Sequence, residues 1–172
     1  TLFNLGTYGA AQDQLTTFLQ LTDNFSTPEY DQMRMEAEFL IAQSALRLGQ
    51  SNAEQLLLSF VRNYKPDPYA HKAIREIASY YYNNKQYDKA LTYYKEIDLY
   101  AISKEERTEI RFMMGYSELV QKNFQAAKPH FNLIKNEEGV YYYPANYYLA
   151  MAEYFTKNYN AALSGFKTVE NS

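Results

Sequence analysis

Cysteine is absent from all 172 residues, which excludes disulfides, thiolate metal sites and cysteine nucleophiles together. Tryptophan is absent too, and glycine occurs only six times, with no glycine-rich phosphate loop. Positive charge is in deficit, with seventeen Lys+Arg against twenty Asp+Glu and a net charge of −3. A nucleic-acid binder needs a concentrated basic surface to displace phosphate counterions, so no nucleic-acid partner is expected. No apolar run approaches the ~20 residues that span a bilayer, and the chain is expected not to span a membrane. No signal-peptide pattern opens it, and Thr1-Leu2-Phe3 includes no initiating Met. What is present is 47% hydrophobic and 22% charged side chain, enough apolar surface to bury a core. Tyrosine, at nineteen residues, is the compositional excess.

Three 24-residue segments align without a gap: 74–97, 111–134 and 146–169. A small residue recurs at Ala78, Gly115 and Ala150, and an aromatic nine later at Tyr87, Phe124 and Tyr159. A second small residue follows at Ala90, Ala127 and Ala162, then an aromatic at Tyr94, Phe131 and Phe166. Apolar residues fall at i, i+3, i+4 and i+7, which is one face of a helix. Asn84-Lys85-Gln86, Gln121-Lys122-Asn123 and Thr156-Lys157-Asn158 interrupt each segment as a short polar turn. Each unit therefore predicts two antiparallel helices. Small residues sit where the backbones approach, and large aromatics fill the space they leave.

This pattern resembles the tetratricopeptide repeat, a helix–turn–helix unit of 34 residues. Weaker matches extend it upstream. Ala42 and Ala53 stand at the small positions of 38–61, where Ser51 replaces the turn aromatic, and 6–18 reads as a lone second helix. The resemblance implies an all-α, right-handed α-α superhelix of about nine helices. Its expected organisation is one domain over 1–172, with a half repeat at about 6–24 and repeats at about 28–64, 67–100, 103–137 and 140–172. Thr27-Pro28 and Asp67-Pro68 supply N-caps followed by proline at the first helical position. Ser103 with Glu106 predicts a capping box. Tyr143-Pro144 opens the last pair, and Pro129 is expected to bend its helix mildly near the start.

Catalytic chemistry finds little support. His71 and His130 lie in different repeats with no second ligand at i+4, and both read as structural. Glu105-Glu106 and Glu137-Glu138 are adjacent pairs, whose carboxylates point in different directions on a helix. Asn24-Phe25-Ser26 matches a glycosylation pattern that arises often by chance. The runs Tyr80-Tyr81-Tyr82 and Tyr141-Tyr142-Tyr143 turn their rings in three directions, so most should pack between helices. No enzymatic activity, cofactor or metal is expected.

In the repeat family, partners bind a concave groove lined by the first helix of each pair. Carried onto matching positions, the resemblance implies a groove of Phe39, Gln43 and Arg47, then Arg75, Ser79, Tyr82 and Asn83. It continues through Phe112, Tyr116 and Val120 to Tyr147, Met151, Tyr154 and Phe155. The family's carboxylate clamp needs Lys and Asn where this chain has Phe39, Gln43 and Glu76, so a clamp is not expected. The implied function is a non-catalytic scaffold for a protein or peptide. The alternatives are the repeat region of a larger signalling protein and a glycan-binding module that uses its tyrosines.

A narrower similarity lies at Tyr64-Lys65-Pro66-Asp67-Pro68-Tyr69-Ala70, which resembles a junction in tetratricopeptide proteins of the bacterial envelope. It implies a periplasmic or envelope location rather than a cytoplasmic one. Leu2, Phe3 and Leu5 precede a helix without a partner, and Leu163, Phe166 and Val169 form an apolar stripe just before Asn171-Ser172. Those two ends predict a piece of a longer repeat array that can self-associate through an end.

Overall fold

The computed structural model describes residues 2–170; Thr1, Asn171 and Ser172 lie outside the described residues. Among the described residues the secondary structure is nine α-helices and no strand. These are α1 (Tyr8–Leu21), α2 (Pro28–Arg47), α3 (Ala53–Tyr64), α4 (Pro68–Asn83), α5 (Tyr87–Tyr94), α6 (Lys104–Val120), α7 (Phe124–Asn132), α8 (Tyr142–Phe155) and α9 (Tyr159–Glu170). The expected all-α class is what the chain adopts.

Local sequence sets the helix starts. Thr27 accepts a hydrogen bond from the Tyr30 amide at 3.4 Å, and Pro28 begins α2. Asp67 accepts from the Tyr69 amide at 2.8 Å ahead of α4. Ser103 and Glu106 form the reciprocal capping box at the start of α6. The helix α7 continues through Pro129 to Asn132. In α8, Pro144 is the third helical residue, where its missing N–H breaks no intrahelical bond.

Helix ends repeat one device four times. Gly49, Lys85, Lys122 and Lys157 have φ of 66°, 58°, 64° and 65°. Each occupies the left-handed position just past a helix. The following residue donates its amide to the carbonyl five back: Gln50 to Ala45, Gln86 to Tyr81, Asn123 to Glu118 and Asn158 to Glu153, at 2.8–3.0 Å. The left-handed residue itself donates to the carbonyl three back. This is the Schellman arrangement, which satisfies carbonyls that the helix leaves open. The recurrent Lys in the polar turn is thus a backbone device, and only the first turn uses glycine for it.

The chain divides inside α4 into two compact units, 1–80 and 81–172. In the first, α1 packs on α2 and α2 on α3. Its core includes Ala42, Ala53, Leu57 and Phe60, with Ala73, Ile74 and Ile77 of α4 also buried. In the second, α5 packs on α6, α6 on α7, α7 on α8 and α8 on α9, and α6 also meets α8. Its main cluster joins Phe112 and Leu119 of α6, Ala127 and Phe131 of α7, Ile134 beyond it, and Ala145, Leu149 and Ala152 of α8. The repeated small residues Ala78, Ala90, Ala127, Ala150 and Ala162 are all buried, as is Gly115.

Candidate functional site

The first helices α2, α4, α6 and α8 carry the residues expected to meet a partner, and the structure separates these into core and surface. In unit 1, Phe39 is buried, with its ring 5.6 Å from Phe60 and 5.4 Å from Tyr69. It is part of the interior and presents no surface. Gln43, Arg75 and Ser79 are half-buried. Arg47 is exposed and donates to Glu76 at 3.0 Å, so the two oppose each other from α2 and α4.

In unit 2, Phe112 is likewise buried, in contact with Phe131 at 5.9 Å and Tyr141 at 4.8 Å between ring centres. It too is core. The reason is common to both: the position three before the small residue faces the helix of the next layer, and an apolar ring there is drawn into the interface. What remains is a ladder of half-buried tyrosines. Tyr82 at the end of α4 lies 6.0 Å from Tyr116 of α6, and Tyr116 lies 5.1 Å from Tyr148 of α8. Tyr87 joins the first rung, 5.6 Å from Tyr82 and 6.0 Å from Tyr116. Tyr147 extends the last, 5.3 Å from Tyr148 and edge-on to it.

The ladder brings Tyr82, Tyr116 and Tyr147 together and adds Tyr87 and Tyr148, which the repeat positions missed. The repeat pattern marks Tyr87 only as a turn aromatic, and Tyr148 adjoins a position that the resemblance selects. The repeat alignment does hold a signal for Tyr148, since it falls one residue from the ring that equivalence with Phe112 selects. Asn83, Val120, Tyr154 and Phe155 are exposed, and Met151 is half-buried. Phe155 stacks on Phe124 at 4.5 Å, and Tyr154 stands edge-on to Tyr159 at 5.6 Å.

Burial pushes the hydroxyls of Tyr82, Tyr87, Tyr141 and Tyr148 above the ordinary tyrosine value, and neighbouring tyrosines add to the rise at Tyr82, Tyr87 and Tyr148. These four stay protonated throughout the physiological range and offer apolar ring faces with neutral hydroxyl donors. Formal charge is paired elsewhere in unit 2. Lys128 donates to Glu153 at 2.9 Å and to Thr156 at 3.3 Å, while Asn158 donates to Glu153 at 3.0 Å. One repeat earlier, Asn123 donates to Glu118 at 2.9 Å and Lys95 lies 3.6 Å from the same carboxylate. The two Lys–Glu pairs tie a second helix or its C-cap to the following first helix, and the two asparagines brace the turn within a helix pair.

Among the described residues no three of His, Asp and Glu converge as a metal would require. Burial holds the His130 imidazole below its usual value, with Glu118 opposing that shift. No described helix is long and apolar enough to cross a membrane.

These features define a class: paired helices of a tetratricopeptide-like repeat, joined by Schellman turns. Solved structures share this fold. Two crystal structures of a Podosopora anserina protein, described as a kinesin light chain with nearly identical TPR-like repeats, superpose with a TM-score of 0.67. Each is 16% identical to this chain and covers 99% of it, and 88% and 89% of the respective neighbour is matched. One of the two is a single-substitution variant. No family model matches the chain, and no curated protein matches it.

Proposed function

We propose that this chain is a non-catalytic scaffold that binds a protein or peptide partner along the first helices of its repeats. The observation carrying this is the tyrosine ladder Tyr82–Tyr116–Tyr148, whose half-buried rings are spaced 6.0 and 5.1 Å apart on three successive first helices. Rigid rings with a hydroxyl at the edge bury much area for little lost entropy, and they dominate protein-binding surfaces. Of the implied groove residues, Tyr82, Asn83, Tyr116, Val120, Tyr147, Met151, Tyr154 and Phe155 are the contact surface of unit 2, and Gln43, Arg47, Arg75 and Ser79 are the candidate contacts of unit 1 taken by itself. Phe39 and Phe112 are omitted because they are buried. The envelope location rests on the 64–70 junction alone.

A photo-crosslinking amino acid placed at Met151 or Asn83 tests this reading against one placed at Lys89 or Lys167 on second helices. Partner adducts from a cell extract should concentrate at Met151 and Asn83, and Tyr116→Ala should diminish them. Adducts that form equally at Lys89 and Lys167 would reject the first-helix surface. Ladder-dependent binding on an oligosaccharide array, with no protein adduct, would transfer the site to the glycan reading.

A further inference from the structure

Tyr82, Tyr87, Tyr116 and Tyr148 all belong to unit 2, on α4, α5, α6 and α8, and all four are half-buried. Their ring planes meet at 58–77°, with centres 5.1–6.0 Å apart. Rings tilted against one another in this way leave wedge-shaped clefts instead of one flat platform. Among the described residues no hydrogen bond occupies their hydroxyls, and none of the four hydroxyls is sealed from water. After burial, the groups that act on the hydroxyls of Tyr82, Tyr87 and Tyr148 are other tyrosines. Tyr116 comes first in each case, joined by Tyr87, Tyr94 and Tyr148 at Tyr82, and by Tyr147 at Tyr148. The phenols therefore converge around Tyr116 as neutral, open donors.

The complement of such a surface is an uncharged ligand with rigid apolar wedges and open carbonyl acceptors. An α-helix spends its carbonyls on its own amides, so it would leave the phenol donors unanswered. Strand addition needs a sheet edge, and the described residues contain no strand. A polyproline-II segment makes no internal hydrogen bond, and every carbonyl stays open. Proline also has no N–H, so it brings acceptors without a competing backbone donor. Its residues advance about 3.1 Å each, so every second one falls about 6 Å along. The Tyr82–Tyr116 and Tyr116–Tyr148 spacings are 6.0 and 5.1 Å. Sugar rings need a flat, open aromatic face, and rings tilted against one another offer little of one. We propose that the ladder is a polyproline-II groove, which binds an uncharged, proline-rich segment of a partner protein. Pyrrolidine rings enter the clefts beside Tyr116, while the Tyr82, Tyr116 and Tyr148 hydroxyls donate to carbonyls of the segment. This assignment rests on the ladder being the partner surface.

The test uses the whole chain and a fluorescein-labelled polyproline peptide of about ten residues. Fluorescence anisotropy should show saturable binding, with none for a Gly-Ser peptide of the same length. Tyr116→Ala should weaken the complex at least tenfold with helicity unchanged by circular dichroism. Tyr116→Phe keeps the ring and removes only the donor, and should weaken it about fivefold. Because neither side is charged, affinity should change less than about twofold between about 0.05 and 0.5 M NaCl. Binding that ignores both substitutions, or that falls steeply with salt, would overturn the proposal. A Tyr116→Phe chain that binds like the parent would overturn the role given to the hydroxyls. Absence of saturable binding would overturn the polyproline assignment outright. Crosslinks that persist at Met151 and Asn83 would then keep the scaffold reading, whereas their loss as well would remove both. An amphipathic helical peptide or an oligosaccharide that binds through Tyr116 where polyproline does not would also overturn it.

Discussion

Gly115 of α6 and Phe131 of α7 occupy one crossing: a Cβ built on Gly115 would lie 2.9 Å from two atoms of the Phe131 ring and 3.1 Å from the His130 Cβ. Phe131 is fully buried, so the ring has no room to withdraw. The small-residue position of the repeat is here a steric requirement. Gly115→Ala gains up to about 1 kcal/mol of helix propensity and loses about 1–3 kcal/mol to overpacking. The expected balance is a lower melting temperature. A variant that melts higher than the parent would show that the ring can move aside.

The left-handed turns predict the opposite sign. Lys122 holds φ of 64°, which costs a residue with a Cβ about 1–2 kcal/mol. Glycine removes that cost and adds about 0.4–1 kcal/mol of unfolded-chain entropy. Lys122→Gly should therefore stabilise by roughly 0.5 kcal/mol, read as a higher urea midpoint with an unchanged slope. A lower midpoint would indicate that the Lys side chain contributes packing the backbone argument ignores.

His130 supplies a pH dependence. Burial first, with the Arg111 and Lys95 charges adding, holds its folded-state pKa below the ordinary value, and Glu118 opposes. The unfolded chain then binds a proton more readily than the folded one. This stabilising contribution is full above about 6.5 and is lost as pH falls through that value toward the lower folded pKa. Chemical denaturation at pH 7.5 and pH 5 should show a smaller acid loss for His130→Gln than for the parent. Equal losses would place the acid sensitivity elsewhere.

Tyr64 gives the alkaline counterpart. Its hydroxyl is raised to about 12 by burial, by the charge of Glu38 and by a hydrogen bond to that carboxylate. Because the folded pKa lies above the unfolded one, the contribution is intact below pH 10 and declines from there to about 12. Ultraviolet titration near 295 nm should show a late tyrosinate transition, with Tyr82 later still because burial raises it further. Tyr64→Phe should remove one proton from the late phase. If the whole tyrosine absorbance instead appears by pH 10, the Glu38 contact is not maintained in solution.

Much of this architecture was legible in the residues themselves. The three gapless segments define helix pairs because small residues and aromatics at fixed offsets satisfy one packing geometry. The Thr27-Pro28 and Ser103–Glu106 starts are local and need only their own few residues. The role of Lys85, Lys122 and Lys157 was hidden, since left-handed backbone usually announces itself with glycine and only Gly49 does so here. Position-by-position transfer of a binding surface failed at Phe39 and Phe112. Both stand at ligand-facing positions by offset, yet an aromatic ring near an apolar neighbour lowers its free energy by leaving water.

Sequence alone determined the periodicity, helical class and caps, all of which depend on residues within a few turns of one another. Tertiary structure decided which tyrosines remain reachable. Tyr148 and Tyr116 are rungs 5.1 Å apart although 32 residues separate them (148 − 116), and no local rule contains that distance. It also decided that Phe112 is sealed while its counterpart Tyr147 stays open. The two occupy the same place in their repeats, and Phe112 is sealed by what packs on it, including Phe131 and Tyr141. Burial is a property of what lies opposite a side chain, which offset within a repeat does not encode.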